Sequence, residues 1–119
     1  MELRFEVTED SGVSILAVHG EVDVATAPRL RQELVEIAAS GSNRAVVDLD
    51  GIDFLDSTGL GVLVSGLKRF RTLGGDLLLV CTQHRILKVF EITGLLPVFG
   101  IYATRAAAVG AATEPTASR

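Results

Sequence analysis

Ala45-Val46-Val47-Asp48-Leu49, then Asp50-Gly51-Ile52-Asp53-Phe54-Leu55-Asp56, then Ser57-Thr58-Gly59-Leu60-Gly61 form one continuous stretch, and its reading decides the fold. The first piece is short and mostly apolar, which predicts a strand. The last opens a helix from Ser57 to about Leu73, because Leu60, Leu63, Val64, Leu67 and Phe70 recur at the helical period. The aspartate-rich piece between them reads as a connecting loop. A strand handing over to a helix is the unit of a parallel βαβ crossover.

The same alternation continues in both directions. Upstream, Leu3, Phe5 and Val7 alternate with polar residues, Asp10-Ser11-Gly12 signals a turn, and Val13 to His19 forms a second strand. Gly20-Glu21-Val22-Asp23 reads as a loop leading to a first helix near Thr26-Ala27-Pro28. There Thr26 can cap free backbone N–H groups and proline suits the first turn. Leu30, Leu34, Ile37 and Ala38 give that helix its apolar face, and Gly41 ends it. Downstream, Gly74-Gly75 ends the second helix and Leu77 to Cys81 forms an apolar strand covered on both faces. A third helix spans about Gln83 to Ile92, Val98 to Tyr102 forms a short last strand, and Ala103 to Ala112 a final helix. The predicted order is β-β-α-β-α-β-α-β-α, an α/β fold with a mixed sheet.

The bulk properties narrow the function. A chain of 119 residues is one domain by length, with residues 1–112 as the folded unit and 113–119 as a polar tail that frays. A net charge of −4 argues against a general nucleic-acid binder. No apolar run approaches the roughly 18 residues of a membrane span, and the acidic N-terminus lacks a secretory leader's apolar core. One cysteine, Cys81, cannot form an internal disulfide, so a cytoplasmic protein with a buried, inert thiol is expected.

The chemistry concentrates at Asp56-Ser57-Thr58-Gly59-Leu60-Gly61. Serine is a preferred N-cap, so a plain cap is one reading of Ser57. A second reading rests on its neighbours. Asp56 puts a carboxylate beside the hydroxyl, and Gly59 and Gly61 leave the first turn bare although glycine costs up to about 1 kcal/mol there relative to alanine. A phosphoryl group on Ser57 would sit at a helix N-terminus, where anions are favoured.

This hexapeptide resembles the signature of anti-sigma factor antagonists, the small single-domain members of the STAS family. Gly20-Glu21-Val22-Asp23, Thr26-Ala27-Pro28, Gly74-Gly75 and Ile92-Thr93-Gly94-Leu95 also resemble family segments, so the likeness covers about residues 3 to 111. It is nearest to the type found in filamentous actinobacteria. The resemblance implies a STAS fold, with a mixed sheet of four to five strands and about four helices. It also implies a partner switch. The unphosphorylated antagonist binds an anti-sigma factor that is also a GHKL-type serine kinase, and so releases a sigma factor to regulate transcription. Phosphorylation of Ser57 turns binding off and a PP2C-type phosphatase restores it. Asp23, Asp56, Ser57, Thr58, Gly59 and Gly61 match the partner-facing positions. ATP and Mg²⁺ belong to the kinase, so no cofactor is implied for this chain.

Other features are weighed against that reading. Thr58 is a second hydroxyl whose expected role is local hydrogen bonding. Asp48, Asp50, Asp53 and Asp56 could suit Mg²⁺ or a phospho-aspartate, but an aspartate-rich strand end and turn explains them. His19 and His84 lie in no metal-ligand cluster. Gly59-Leu60-Gly61 lacks the Gly-Lys-Ser/Thr ending of a phosphate-binding loop. Lys68, Arg69 and Arg71 read as a solvated face that can border a partner site. Two rival functions remain at this point: a STAS sensor or scaffold that binds a nucleotide or lipid, and a small aspartate-dependent phosphotransferase.

Overall fold

The two periodicities of the sequence resolve into five strands and four helices in the computed structural model, which describes residues 3–114. In chain order they are β1 (Arg4–Asp10), β2 (Val13–Val22), α1 (Ala27–Ala39), β3 (Arg44–Leu55), α2 (Ser57–Thr72), β4 (Asp76–Val80), α3 (His84–Ile92), a 3-10 turn (Leu96–Val98), β5 (Ile101–Tyr102) and α4 (Arg105–Thr113). One sheet holds the strands in the order β1-β2-β3-β4-β5. β1 and β2 pair antiparallel across the hairpin, and every later pair is parallel. The strand order never reverses, so crossovers of one hand must stack their helices on one face.

Side-chain alternation divides the core accordingly. Leu16, Val47, Leu77 and Leu79 point into the larger cluster, which α1, α2 and α3 seal with Leu30, Leu34, Leu63, Phe70, Ile86 and Phe90. Ile15, Val46, Leu78 and Val80 point the other way and pack on Ala108, Val109 and Ala112 of α4. β4 is therefore covered on both faces, as its unbroken apolar run requires. Helix α2 ends in a Schellman motif: Gly74 has φ 84° and its N–H donates to Arg71 O, while the Gly75 N–H donates to Phe70 O.

Several boundaries differ from expectation. The segment Asp50 to Asp56, read as a loop, continues β3 as far as Leu55, and Gly20-Glu21-Val22, read as a loop, continues β2. Pairing between the two strands carries them on through two irregularities of register, from Ser14 opposite Ala45 to Val22 opposite Leu55. Mutual hydrogen bonding thus overrides the poor strand propensity of glycine and aspartate. At Gly51 a Cβ would strike His19, so glycine is what lets the two backbones approach. The last strand is only Ile101–Tyr102, because Pro97 places the preceding residues in a 3-10 turn. Helix α4 takes in Thr113, and residues 115–119 of the predicted tail lie outside the described residues.

Candidate functional site

Because β2 and β3 run parallel and finish together, their carboxyl ends set two loops side by side. The Asp56 N–H donates to Val22 O at 3.2 Å and ties the start of α2 to the end of β2. The carboxyl edge of parallel strands is where open α/β sheets present their ligand-facing groups. Asp23 and Asp56, far apart in sequence, follow these two paired strand ends.

The capping roles correct the sequence reading. Asp56, not Ser57, is the N-cap of α2: its Oδ1 accepts from the Thr58 N–H at 3.0 Å and the Gly59 N–H at 3.1 Å. Ser57 is the first helical residue. It is exposed, and its hydroxyl makes no hydrogen bond to any described residue. Thr58 is exposed too, and only its N–H is used locally, so the hydrogen bonding expected of its hydroxyl is absent among the described residues.

The neighbouring loop is held differently. Thr26 precedes α1 without a side-chain cap. Its hydroxyl donates to Glu21 O at 2.7 Å and accepts from the Asp23 N–H at 2.9 Å. The Asp23 carboxylate accepts from the Ala25 and Thr26 N–H groups, both at 3.0 Å. These donors, the Thr26 N–H first among them, hold the Asp23 carboxyl below the usual carboxylate range. Its stabilising share is therefore present above the ordinary carboxylate pKa and fades as pH falls through the lowered value.

The two glycines have different reasons. Gly59 is buried, and a Cβ there would meet Leu55 Cδ1 at 2.6 Å and Val22 Cγ1 at 2.7 Å, so its smallness serves this chain's own packing. Gly61 is exposed and a Cβ there would meet nothing within 4 Å. Only Gly61 keeps the outer surface bare. Two apolar side chains that sequence reasoning missed flank the corner: Val24, 72% exposed, follows Asp23, and Phe54, 47% exposed, precedes Asp56 by two residues.

The remaining candidates disperse. Asp48 pairs with Arg105 at 2.7 Å, and Asp50 accepts from the Thr82 N–H at 2.6 Å and from its hydroxyl, whereas Asp53 is exposed. With Asp56 on its own helix, the four aspartates do not converge. No set of three His, Cys, Asp or Glu side chains that could hold a metal occurs among the described residues. His19 lies 3.4 Å from Glu6, while His84 opens α3. Cys81 is buried, and burial pushes its thiol pKa up, away from the reactive thiolate. No helix among the described residues is long and apolar enough to cross a membrane.

Fold and corner together define a class: a small α/β module that displays a free serine at a helix start, beside the aspartate that caps the helix. The STAS domain model matches residues 4–108, and the chain belongs to that family. It is 35% identical over 103 residues to the anti-sigma-B factor antagonist of Bacillus subtilis (strain 168), covering 87% of this chain and 94% of that one. It is 36% identical over 95 residues to the anti-sigma-B factor antagonist of Staphylococcus aureus (strain NCTC 8325 / PS 47), covering 80% of this chain and 88% of that one. Among solved structures, an anti-sigma factor antagonist from Mycobacterium paratuberculosis superposes with a TM-score of 0.84 at 30% identity, covering 95% of this chain and 96% of that one.

Proposed function

We propose that this chain is an anti-sigma factor antagonist, a cytoplasmic, non-enzymatic binding protein whose active form carries an unmodified Ser57. The observation that carries the reading is the division of labour at α2: Asp56 caps the helix, which leaves the exposed Ser57 hydroxyl uncommitted. The likeness to antagonists over most of the chain supplies the partner class, an anti-sigma factor. In this reading that partner is a GHKL-type serine kinase which phosphorylates Ser57, and a PP2C-type phosphatase reverses the step. The partner-facing surface is the corner of Asp23, Asp56, Ser57, Thr58 and Gly61, with Gly59 buried beneath it holding the helix against β2 and β3.

Phosphorylation would add about −1.5 to −2 charges at neutral pH. The Asp56 carboxylate already accepts from two of the first N–H groups of α2. A phosphate on Ser57 therefore faces outward, beside a like charge, instead of settling into the helix end. The surface offered to the partner changes while the fold is kept. The arrangement also disfavours a phosphotransferase, because Asp50 and Asp56 are each engaged with backbone N–H groups in separate places.

The test is to incubate the chain with its cognate anti-sigma factor and ATP and to map the modified residue by mass spectrometry. Ser57 should carry the phosphate. Ser57→Ala should bind the partner within about threefold of wild type yet resist switching, and Ser57→Glu should bind at least about tenfold more weakly, a difference of about 1.4 kcal/mol. Modification at another residue, with Ser57→Ala still switchable, would refute the assignment.

A further inference from the structure

Helices α1 and α2 leave an open groove of about 620 Å³ on their outer side. Its lining combines the apolar Val35 and Ala38 of α1 and Leu73 at the end of α2 with Arg31, Lys68 and Arg69. On a chain of net charge −4, three cations lining one groove are unexpected. Elsewhere Arg71 meets Asp76, Lys88 meets Glu91 and Arg105 meets Asp48, whereas Arg4, Arg44 and Arg85, like the groove cations, have no ion pair among the described residues but do not share a groove with two others. None of the three groove cations has a carboxylate within ion-pair distance among the described residues.

Helix electrostatics explains part of this arrangement and leaves part unexplained. Arg69 lies in the last turn of α2, where a cation complements the helix dipole. Arg31 has no such role, since it sits early in α1, a helix with no acidic residue in its first turn. Nearby Arg29 is used over the Phe5 ring, 5.7 Å from its centroid, but Arg31 has no such partner among the described residues. All three side chains are exposed, and like charges bordering one partly apolar groove favour an occupant of the opposite charge.

We propose that the α1–α2 groove docks an acidic segment of a partner protein, with carboxylates set against Arg31, Lys68 and Arg69 and one or two small apolar side chains on Val35 and Ala38. An amphipathic segment laid along a helix pair is an established mode of peptide recognition. The charges would give orientation and a fast, salt-sensitive encounter, and the apolar lining would contribute modest apolar burial. The site is separate from the Ser57 corner. Lys68 lies eleven residues further along α2 than Ser57, which is about 16 Å at the helical rise. That is about two Debye lengths at physiological ionic strength. Groove binding therefore does not depend on the switch reading of Ser57.

The full chain is titrated with a fluorescent peptide of about twelve residues that alternates glutamate pairs with single leucines, while amide NMR shifts are followed. Binding should saturate, weaken at least about tenfold between 50 and 300 mM salt, and shift the amides of Arg31, Val35, Ser65 and Lys68. The combined Arg31→Glu, Lys68→Glu and Arg69→Glu variant should lose at least about tenfold. The corresponding glutamine variant, which tests for loss of fold when checked by thermal melting, should lose less. Ser57→Glu should leave affinity within about twofold. Unchanged affinity in the charge-reversed variant, shifts confined to the Ser57 corner, or no binding at 50 mM salt would overturn the proposal. So would binding of an oligonucleotide or of anionic phosphatidylglycerol vesicles in place of the peptide.

Discussion

Helices α1 and α2 begin side by side at the same sheet edge, yet their hydroxyl residues have opposite roles. Before α1, Thr26 ties its hydroxyl to Glu21 O and the Asp23 N–H, and the Asp23 carboxylate closes the same turn. At α2, Asp56 alone satisfies two helical N–H groups, and the Ser57 hydroxyl has no partner among the described residues. One helix start is closed on itself. The other is stable without its serine. A modification site needs the second arrangement, because chemistry at a hydroxyl that holds the fold would change the fold.

The largest effect comes from breaking the platform under that second start. Gly59→Val would drive a branched side chain into Leu55 and Val22. Overpacking of this kind typically costs about 1 to 3 kcal/mol, and a β-branched residue against the stiff, buried Val22 side chain belongs at the upper end. Chemical denaturation should show it, with a further loss of partner binding as α2 shifts. Stability within about 0.5 kcal/mol of wild type would mean that the packing under α2 does not need Gly59.

Next is the closed start. Thr26→Ala removes the hydroxyl's bonds to Glu21 O and from the Asp23 N–H, with its longer contact to Asp23 Oδ1, and leaves Glu21 O and the Asp23 N–H to find water. With about 1 kcal/mol for each, a loss of about 1 to 2 kcal/mol is expected. Asp56→Ala should cost about 1 kcal/mol through the lost cap. A matching loss in Ser57→Ala would erase the contrast between the two helix starts. Gly61→Ala should have the opposite sign. It places a methyl in open space and gains helix propensity, up to about 1 kcal/mol of stability, while weakening partner binding. Greater stability with unchanged binding would show that the bare surface has no partner role.

These contrasts mark what could be read from the residues. The alternation of strands and helices was legible because Leu60, Leu63, Leu67 and Phe70 keep the helical period and Leu77 to Val80 stay apolar. The extension of β3 to Leu55 was not, since Asp50, Gly51 and Asp53 are poor strand residues and only the register with β2 recruits them. Ser57 and Asp56 were legible as a pair, but both are good N-caps, and sequence cannot say which takes the role. Thr26 misled for the same reason. Gly59 and Gly61 looked equivalent until burial separated them. Lys68, Arg69 and Arg71 read as one solvated face, yet Arg71 turns to Asp76 while Arg31, from another helix, lines a groove with the other two. Such groupings depend on how helices pack, which no local pattern encodes.

The smallest expected effect on stability is the sharpest test of the comparison. Ser57→Ala removes an exposed hydroxyl that makes no hydrogen bond among the described residues, at a position where Asp56 already supplies the cap. Alanine is also a better helix former than serine. The change in unfolding free energy should therefore lie within about 0.5 kcal/mol, the usual range for surface substitutions. If Ser57 is the switch, the same substitution removes all phosphorylation. A residue whose loss changes regulation completely and stability hardly at all is one that the fold does not use. A loss near 1 kcal/mol would place Ser57 beside Thr26 as a structural hydroxyl. The kinase would then have to modify a group on which the helix depends, and partner release would become a consequence of local unfolding.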